Sequence, residues 1–281
     1  MIVVTGATGT VGGHVARLLC ADHPTRLLGR SLSRLRAVVP AADVVTADFA
    51  DQSSLERALE GARALFAVTA NPLEPAHDAH LLAAARTAGV QHVVKLSALA
   101  VTDDRADDLI TNWQRENEDR VRASGLAWTL LRPRSFMSNT LSWARSVRAH
   151  HTVATPQPQS RNASVDPRDV AEAAVIALTT AGHEQQEYAL TGPQAISPAE
   201  QCEHLAQVLA RPVRCVEISL ERAYTAWAQH YPQPIARALL DSARRQGDGA
   251  KQGVDPTLAR LLGRPATTYR AWATDHAHRF S

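Results

Sequence analysis

Three glycines at equal spacing, Gly6, Gly9 and Gly12, lie in the run T-G-A-T-G-T-V-G-G from Thr5 to Gly13, directly after the β-branched stretch Ile2-Val3-Val4. A strand, a sharp turn and a helix start built on that spacing make an anion cradle. Gly6 permits the turn, Gly9 lets the backbone approach a pyrophosphate and Gly12 lets the helix pack close, while loop amides and the helix dipole face the charge. Thr8, Thr10 and Val11 complete the loop, and the chemistry implied is dinucleotide binding. The end of the second strand lacks the acid that would accept from the ribose 2′-OH of NAD. It reads Leu27-Leu28-Gly29-Arg30-Ser31, with Arg34 one turn on. The Arg30 guanidinium and Ser31 hydroxyl suit a 2′-phosphate, so NADPH is expected over NADH. Asp48 and Phe49, after the third strand, fall beside the adenine, although the Asp48 carboxylate serves equally well as a helix cap.

These residues need a repeated βα frame, and the first 132 residues supply its pattern. Nearly continuous apolar runs at 1–5, 25–29, 43–47, 64–69, 91–97 and 127–132 read as strands of a parallel sheet covered on both faces. Helical patterns lie between them at 12–22, 53–59 with Ser53 or Ser54 as cap, 77–88 and 111–124. Beyond Pro133 the alternation stops. The polar segment 152–164, with Pro156 and Pro158, reads as a crossing loop. A helix over 167–180, a strand over 187–191, a helix over 197–210 opened by a Ser197/Glu200 capping box and a strand over 213–218 follow, with mainly helix after them. Gly247, Gly249 and Gly253 among polar residues predict a mobile stretch over 246–253. The expected fold class is α/β, a Rossmann-type doubly wound parallel sheet. A nucleotide-binding domain over 1–150 would carry a smaller, mainly helical substrate subdomain over 151–281, interleaved with the core.

Further segments join the glycine loop: A-D-F-A-D at 47–51, V-V-K-L-S-A at 93–98, A-S-G-L-A-W-T-L-L-R-P-R-S-F-M-S-N at 123–139, V-D-P-R-D-V-A at 165–171 and Y-A-L-T-G-P at 188–193. Together they resemble the NmrA-like group of atypical short-chain dehydrogenase/reductases, strongly to about residue 193 and more weakly beyond. That resemblance implies NAD(P)H binding, with quinone reductases and cofactor-sensing regulators among the relatives, and a place in making a bacterial aromatic polyketide. It also implies that Ser97 lies near the nicotinamide.

The pattern departs from ordinary short-chain dehydrogenases where their proton donor stands. No Tyr-x-x-x-Lys exists, since the tyrosines are Tyr188, Tyr224, Tyr231 and Tyr269. Gln114 occupies a position where relatives often carry His, and an amide is no proton donor of useful pKa. Ser97 and Gln114 are the catalytic candidates all the same. Open α/β sheets bind ligands outside the carboxyl ends of their strands, where Asn71, Ser97 and the 133–139 loop with Asn139 map. Phe136, Met137, Trp113 and Trp143 would wall a pocket for a flat aromatic substrate, and Arg134 would meet an anionic group on it or point to solvent.

The leading function is therefore an NADPH-dependent oxidoreductase acting on a quinone or related polycyclic aromatic or ketone. A regulator that senses NADP(H) without turnover and a non-redox coupling or cyclisation enzyme are the alternatives. A formal charge of +2 on 281 residues, without a basic stripe, argues against nucleic acid as partner. Three dispersed cysteines and no metal-ligand pattern argue against disulfides and a metal site. No apolar run approaches bilayer length and no signal segment opens the chain, so a cytoplasmic protein with no membrane partner is expected. A homodimer is compatible with this reading. Lysine is scarce: of 30 lysines and arginines, only Lys95 and Lys251 are lysine.

Overall fold

In a computed structural model covering residues 1–281, the chain divides into two compact units that interleave in sequence. Unit 1 comprises 1–98, 113–132 and 167–189, and unit 2 comprises 99–112, 133–166 and 190–281. The chain thus passes between units five times.

Unit 1 is built on strands β1 (Ile2–Thr5), β2 (Thr25–Gly29), β3 (Asp43–Thr46), β4 (Ala64–Ala67), β5 (His92–Leu96), β6 (Ala127–Pro133) and, later in the chain, β8 (Gln186–Leu190). They form one sheet in the order β3-β2-β1-β4-β5-β6-β8, with every pair from β3 to β6 parallel. The helices are α1 (Gly12–Asp22), α2 (Leu32–Val38), α3 (Gln52–Leu59), α4 (Ala76–Thr87), α5 (Leu109–Arg122) and α7 (Pro167–Thr179). Val3, Leu28, Leu55, Leu59, Leu65, Leu81, Val93 and Leu130 are buried together on one side of the sheet. Burying a side chain of this size contributes about 1.5–3 kcal/mol, so such a cluster holds the strand ends in register.

Two local readings change here. The short helix α2 escaped the sequence pattern because Ser31 caps it before a seven-residue stretch with a single buried residue, Leu35. The cap of α3 is Asp51, which accepts from the Ser53 amide at 2.9 Å, in place of Ser53 or Ser54.

In unit 2, β7 (Thr152–Thr155) pairs in parallel with β9 (Arg214–Glu217). Residues 152–155 are thus a strand, not part of a loop, because Thr152, Val153 and Thr155 are β-branched and the prolines come only afterwards. The helices are α6 (Ala144–His150), α8 (Pro198–Leu209), α9 (Leu220–Ala228), α10 (Gln233–Gly247), α11 (Thr257–Leu262) and α12 (Tyr269–Asp275). The Ser197/Glu200 capping box that opens α8 is present. Trp272, Phe280, Val147, Val153 and Leu205 form the core, with Trp143 packed against it and Met137 buried inside it.

The stretch 246–253 is tied down, not mobile. Gln246 Nε2 donates to Ser160 Oγ at 3.1 Å and its Oε1 accepts from Asn162 at 3.1 Å, while the Lys251 carbonyl accepts from the Ala163 amide at 2.9 Å. Gly247 is glycine because the Gln157 amide occupies the space a Cβ would take. No helix of either unit is long and apolar enough to cross a membrane.

Candidate active site

The strand order reverses between β1 and β4, and in an open parallel sheet that switch point opens a crevice at the carboxyl edge. The glycine loop sits there. Gly6 has φ +64°, in the left-handed region, and a Cβ on it would stand 2.8 Å from the Val68 side chain. A Cβ at Gly12 would lie 2.2 Å from the Gly6 carbonyl oxygen, so its glycine serves the closeness of the loop to the first turn of α1. Gly9 meets only that same oxygen, at 3.2 Å, and Thr8, Gly9 and Thr10 are exposed. Thr5 Oγ1 accepts from the Val68 amide at 2.7 Å and pins the end of β1 to the end of β4. At its N-terminus α1 has neither a side-chain cap nor an acid in its first turn, so the positive end of its dipole is left for an external anion.

The next loops along the edge carry the other nucleotide candidates. Arg30 is exposed with no side-chain partner, and Ser31 Oγ accepts weakly from the Arg34 amide at 3.5 Å. Asp48 is exposed and accepts from the Ala50 amide at 2.9 Å, so it closes its own turn and leaves the capping of α3 to Asp51. Phe49 is half-buried against His77. Asn71 Oδ1 accepts from the Leu73 amide at 3.1 Å, which leaves its amide nitrogen unengaged.

After β5, Ser97 is buried and donates to Glu118 Oε1 at 2.6 Å. Glu118 also accepts from Arg132, at 2.9 Å through Nε and 2.6 Å through a terminal nitrogen, and from Arg122 at 2.9 Å. Glu187 bridges the same two arginines. Burial pushes the Glu118 carboxyl up, but the hydrogen bonds from Arg132 and Ser97 outweigh it and hold its pKa below the ordinary carboxylate value.

Gln114 is also buried, and its Oε1 has no donor. Trp113 is 6% exposed, and its indole N–H donates to Asp78 at 3.1 Å. That places it in a buried cluster that spacing did not reveal. Asp78 also accepts from Thr69 and lies 3.7 Å from the Lys95 ammonium, which donates to the Leu96 carbonyl and faces the Trp113 ring. Burial pushes the Lys95 pKa down against the pull of Asp78 and Glu118. Lys95 lies in the V-V-K-L-S-A segment, and a charged residue inside an apolar strand is the sequence signal for its buried partner.

The remaining candidates belong to unit 2. Phe136 is half-buried and bridges to Val165, Asn139 is exposed, and Trp143 leans on the unit's core. Arg134, directly after β6, is half-buried; its guanidinium makes no hydrogen bond or ion pair, and its Nε is buried without an acceptor. Burial pushes its pKa down, opposed by Asp103.

This geometry defines a dinucleotide-binding α/β protein whose ligand edge is formed by the loops after β1 to β5. Residues 6–181 match the NAD(P)H-binding family. The chain is 49% identical over its full length, and over 99% of the relative, to a (4-alkanoyl-5-oxo-2,5-dihydrofuran-3-yl)methyl phosphate reductase of Streptomyces griseus. It is 38% identical, across 100% of this chain and 99% of the relative, to an NAD(P)H azoreductase of Xenophilus azovorans. Its fold overlays that of an Escherichia coli NADPH-dependent quinone oxidoreductase solved with NADPH at a TM-score of 0.87, with 26% identity, covering 99% of this chain and 100% of the other. The chain belongs to the NAD(P)H-binding family, in keeping with its resemblance to NmrA-like short-chain dehydrogenase/reductases, and it is an oxidoreductase.

Proposed function

We propose that the protein uses NADPH to reduce a conjugated, electron-poor acceptor whose reduced form is a stabilised anion: a quinone, or a butenolide double bond flanked by two carbonyls. The observation that carries this reading is the absence of a proton donor among the site candidates. No Tyr-x-x-x-Lys pair is present, Gln114 carries an amide, and the Ser97 proton is committed to Glu118.

The residues present fit the cofactor. The loop Gly6, Thr8, Gly9, Thr10, Val11 and Gly12 would hold the pyrophosphate, since a side chain at Gly9 would project into the exposed cradle. Arg30 and Ser31 would hold the 2′-phosphate, Asp48 and Phe49 the adenine, and Asn71 the ribose through its unengaged amide nitrogen. Bound there, NADPH supplies a hydride.

Ser97, its hydroxyl aimed by Glu118, retains only lone pairs toward a ligand and acts by positioning. The Gln114 Oε1 is a buried acceptor waiting for a donor, which costs about 1–3 kcal/mol unless a ligand supplies one. A hydroquinone anion, or the enolate of a 1,3-dicarbonyl, is a weak base that water protonates, so these acceptors need no side-chain acid. A simple ketone yields an alkoxide and does need one.

The relatives support the substrate class: azo, quinone and acyl-butenolide groups all accept hydride to give delocalised anions. The 49% identity to a Streptomyces butenolide phosphate reductase favours a step in secondary metabolism. The test follows NADPH absorbance with a quinone, a 4-acyl butenolide and a simple ketone. Consumption with either of the first two and none with the ketone is expected. Reduction of the ketone at a comparable rate would overturn the reading, and binding of NADPH without turnover of any acceptor would favour a cofactor sensor.

A further inference from the structure

Unit 2 contains a concentration of positive charge that its own acids do not balance. Arg245, on α10, is satisfied: it pairs with Asp108 at 2.7 Å and with Asp103 at 3.6 Å. Asp108 is also occupied, accepting from the amides of Ile110 and Thr111 and from the Thr111 hydroxyl. Two further cations are brought together by the backbone: the Arg134 amide donates to the Leu190 carbonyl at 2.8 Å, and two residues on, the Gly192 amide donates to the carbonyl of Ala163 at 3.0 Å, whose own amide holds the Lys251 carbonyl at 2.9 Å. The Lys251 ammonium has one hydrogen-bond partner, the neutral hydroxyl of Ser242 at 2.7 Å, and no carboxylate within ion-pair distance. The Arg134 guanidinium has none, and its Nε is buried without an acceptor.

Lys251 feels both arginines, and Asp103 acts on Arg134. Burial first, then Arg245 and Arg134, bring Lys251 down to about 8, with Asp108 opposing. Gathering like charges on partly buried side chains is unfavourable, and protein architecture alone gives no return for it. The cost is recovered when an anion with several acceptor oxygens arrives. A carboxylate offers one charge and two oxygens; a phosphomonoester offers nearly two charges and three terminal oxygens, enough for a bidentate arginine and a lysine together.

We propose that Arg134 and Lys251, backed by Arg245, form a subsite for a phosphomonoester carried by the substrate. The inference rests on the proposed reductase function and adds to it a phosphorylated substrate class. It also gives a role to the second lysine of the chain and to the order of residues 246–253, which hold Lys251 in place through the Ala163 amide.

The test is a ratio, measured on the full-length protein with NADPH: kcat/KM for a (4-alkanoyl-5-oxo-2,5-dihydrofuran-3-yl)methyl phosphate over kcat/KM for the corresponding alcohol. The wild type is expected to prefer the phosphate by about 100-fold or more, and Lys251→Met and Arg134→Gln each to lower that ratio at least tenfold, with thermal melts confirming folded variants. Equal kcat/KM for phosphate and alcohol in the wild type would overturn the subsite while leaving the reductase reading intact. If neither compound is reduced, the reductase reading fails on this acceptor, and calorimetric titration of the phosphate ester decides the subsite. Binding that is lost in Lys251→Met upholds it, and no binding, or equal binding, overturns it. A parallel loss of NADPH affinity in Lys251→Met would assign the cations to the 2′-phosphate of the cofactor and overturn the proposal as well.

Discussion

Arg132 and Arg134 flank Pro133 at the end of β6, and their surroundings are opposite. Arg132 belongs to a closed network in unit 1 in which Glu118 and Glu187 are shared by Arg122 and Arg132, and Ser97 donates its hydroxyl to the same carboxylate. Charges and hydrogen-bonding groups match there. Arg134 looks into unit 2, where Lys251 and Arg245 add positive charge and the acids are already taken. The contrast separates two uses of the same side chain: a satisfied network aligns strand and helix and leaves nothing for a ligand, whereas an unsatisfied one keeps its binding capacity.

Removing a charge from each region sharpens the contrast, because the effects should have opposite signs. Glu118→Ala leaves Arg132 and Arg122 to Glu187 and frees Ser97, and losing the buried carboxylate of such a network costs about 3–5 kcal/mol. A fall in Tm of roughly 10 °C is expected for a chain of this size. Lys251→Met removes a charge that the fold tolerates poorly, and Tm should rise. The pH dependence follows the same sign. Lys251 loses its proton at about 8 in the folded state and at about 10.5 when unfolded, so between those values the unfolded state binds more protons. Stability of the wild type therefore gains with pH in that window relative to Lys251→Met, whose curve lacks this contribution. Thermal melts of both variants from pH 7 to 10 check it; a lower Tm in Lys251→Met would mean that the cluster is structural.

A smaller effect tests another arginine without a side-chain partner, Arg30. A charge-assisted hydrogen bond contributes about 1.5–3 kcal/mol, so Arg30→Ala should weaken NADPH binding roughly 10- to 100-fold and leave NADH nearly unchanged. Calorimetry with both cofactors measures it, and an equal loss for the two would remove Arg30 from the 2′-phosphate site.

What could be read from the sequence follows the range of the interactions involved. The βα alternation, the glycine loop and the missing acid after β2 are local patterns, and the strands and helices of unit 1 fall within a residue or two of their expected bounds, α2 and the first turn of α5 apart. The capping box at Ser197 was visible for the same reason. Trp113 was not: its apolar ring suggested a pocket wall, and its bond to Asp78, 35 residues away in the chain, leaves no mark in the local pattern. Lys251 was hidden more deeply, because glycines and polar side chains around it look like a mobile loop. Only long-range bonds to Ser160, Asn162 and Ala163 give the segment its order. The two clusters with perturbed lysines, one buried and one partly buried, were thus legible only as two rare residues.

The central claim is direct hydride transfer from NADPH to a conjugated carbon. It is tested most directly with NADPH deuterated at the transferable C4 position, a 4-acyl butenolide as acceptor and mass spectrometry of the product. The account predicts one deuterium at the ring carbon β to both carbonyls, and a second hydrogen taken from solvent at the carbon between them. Product formed with no deuterium from the cofactor, or labelled cofactor left unconsumed while the fully folded protein binds it, would contradict the account.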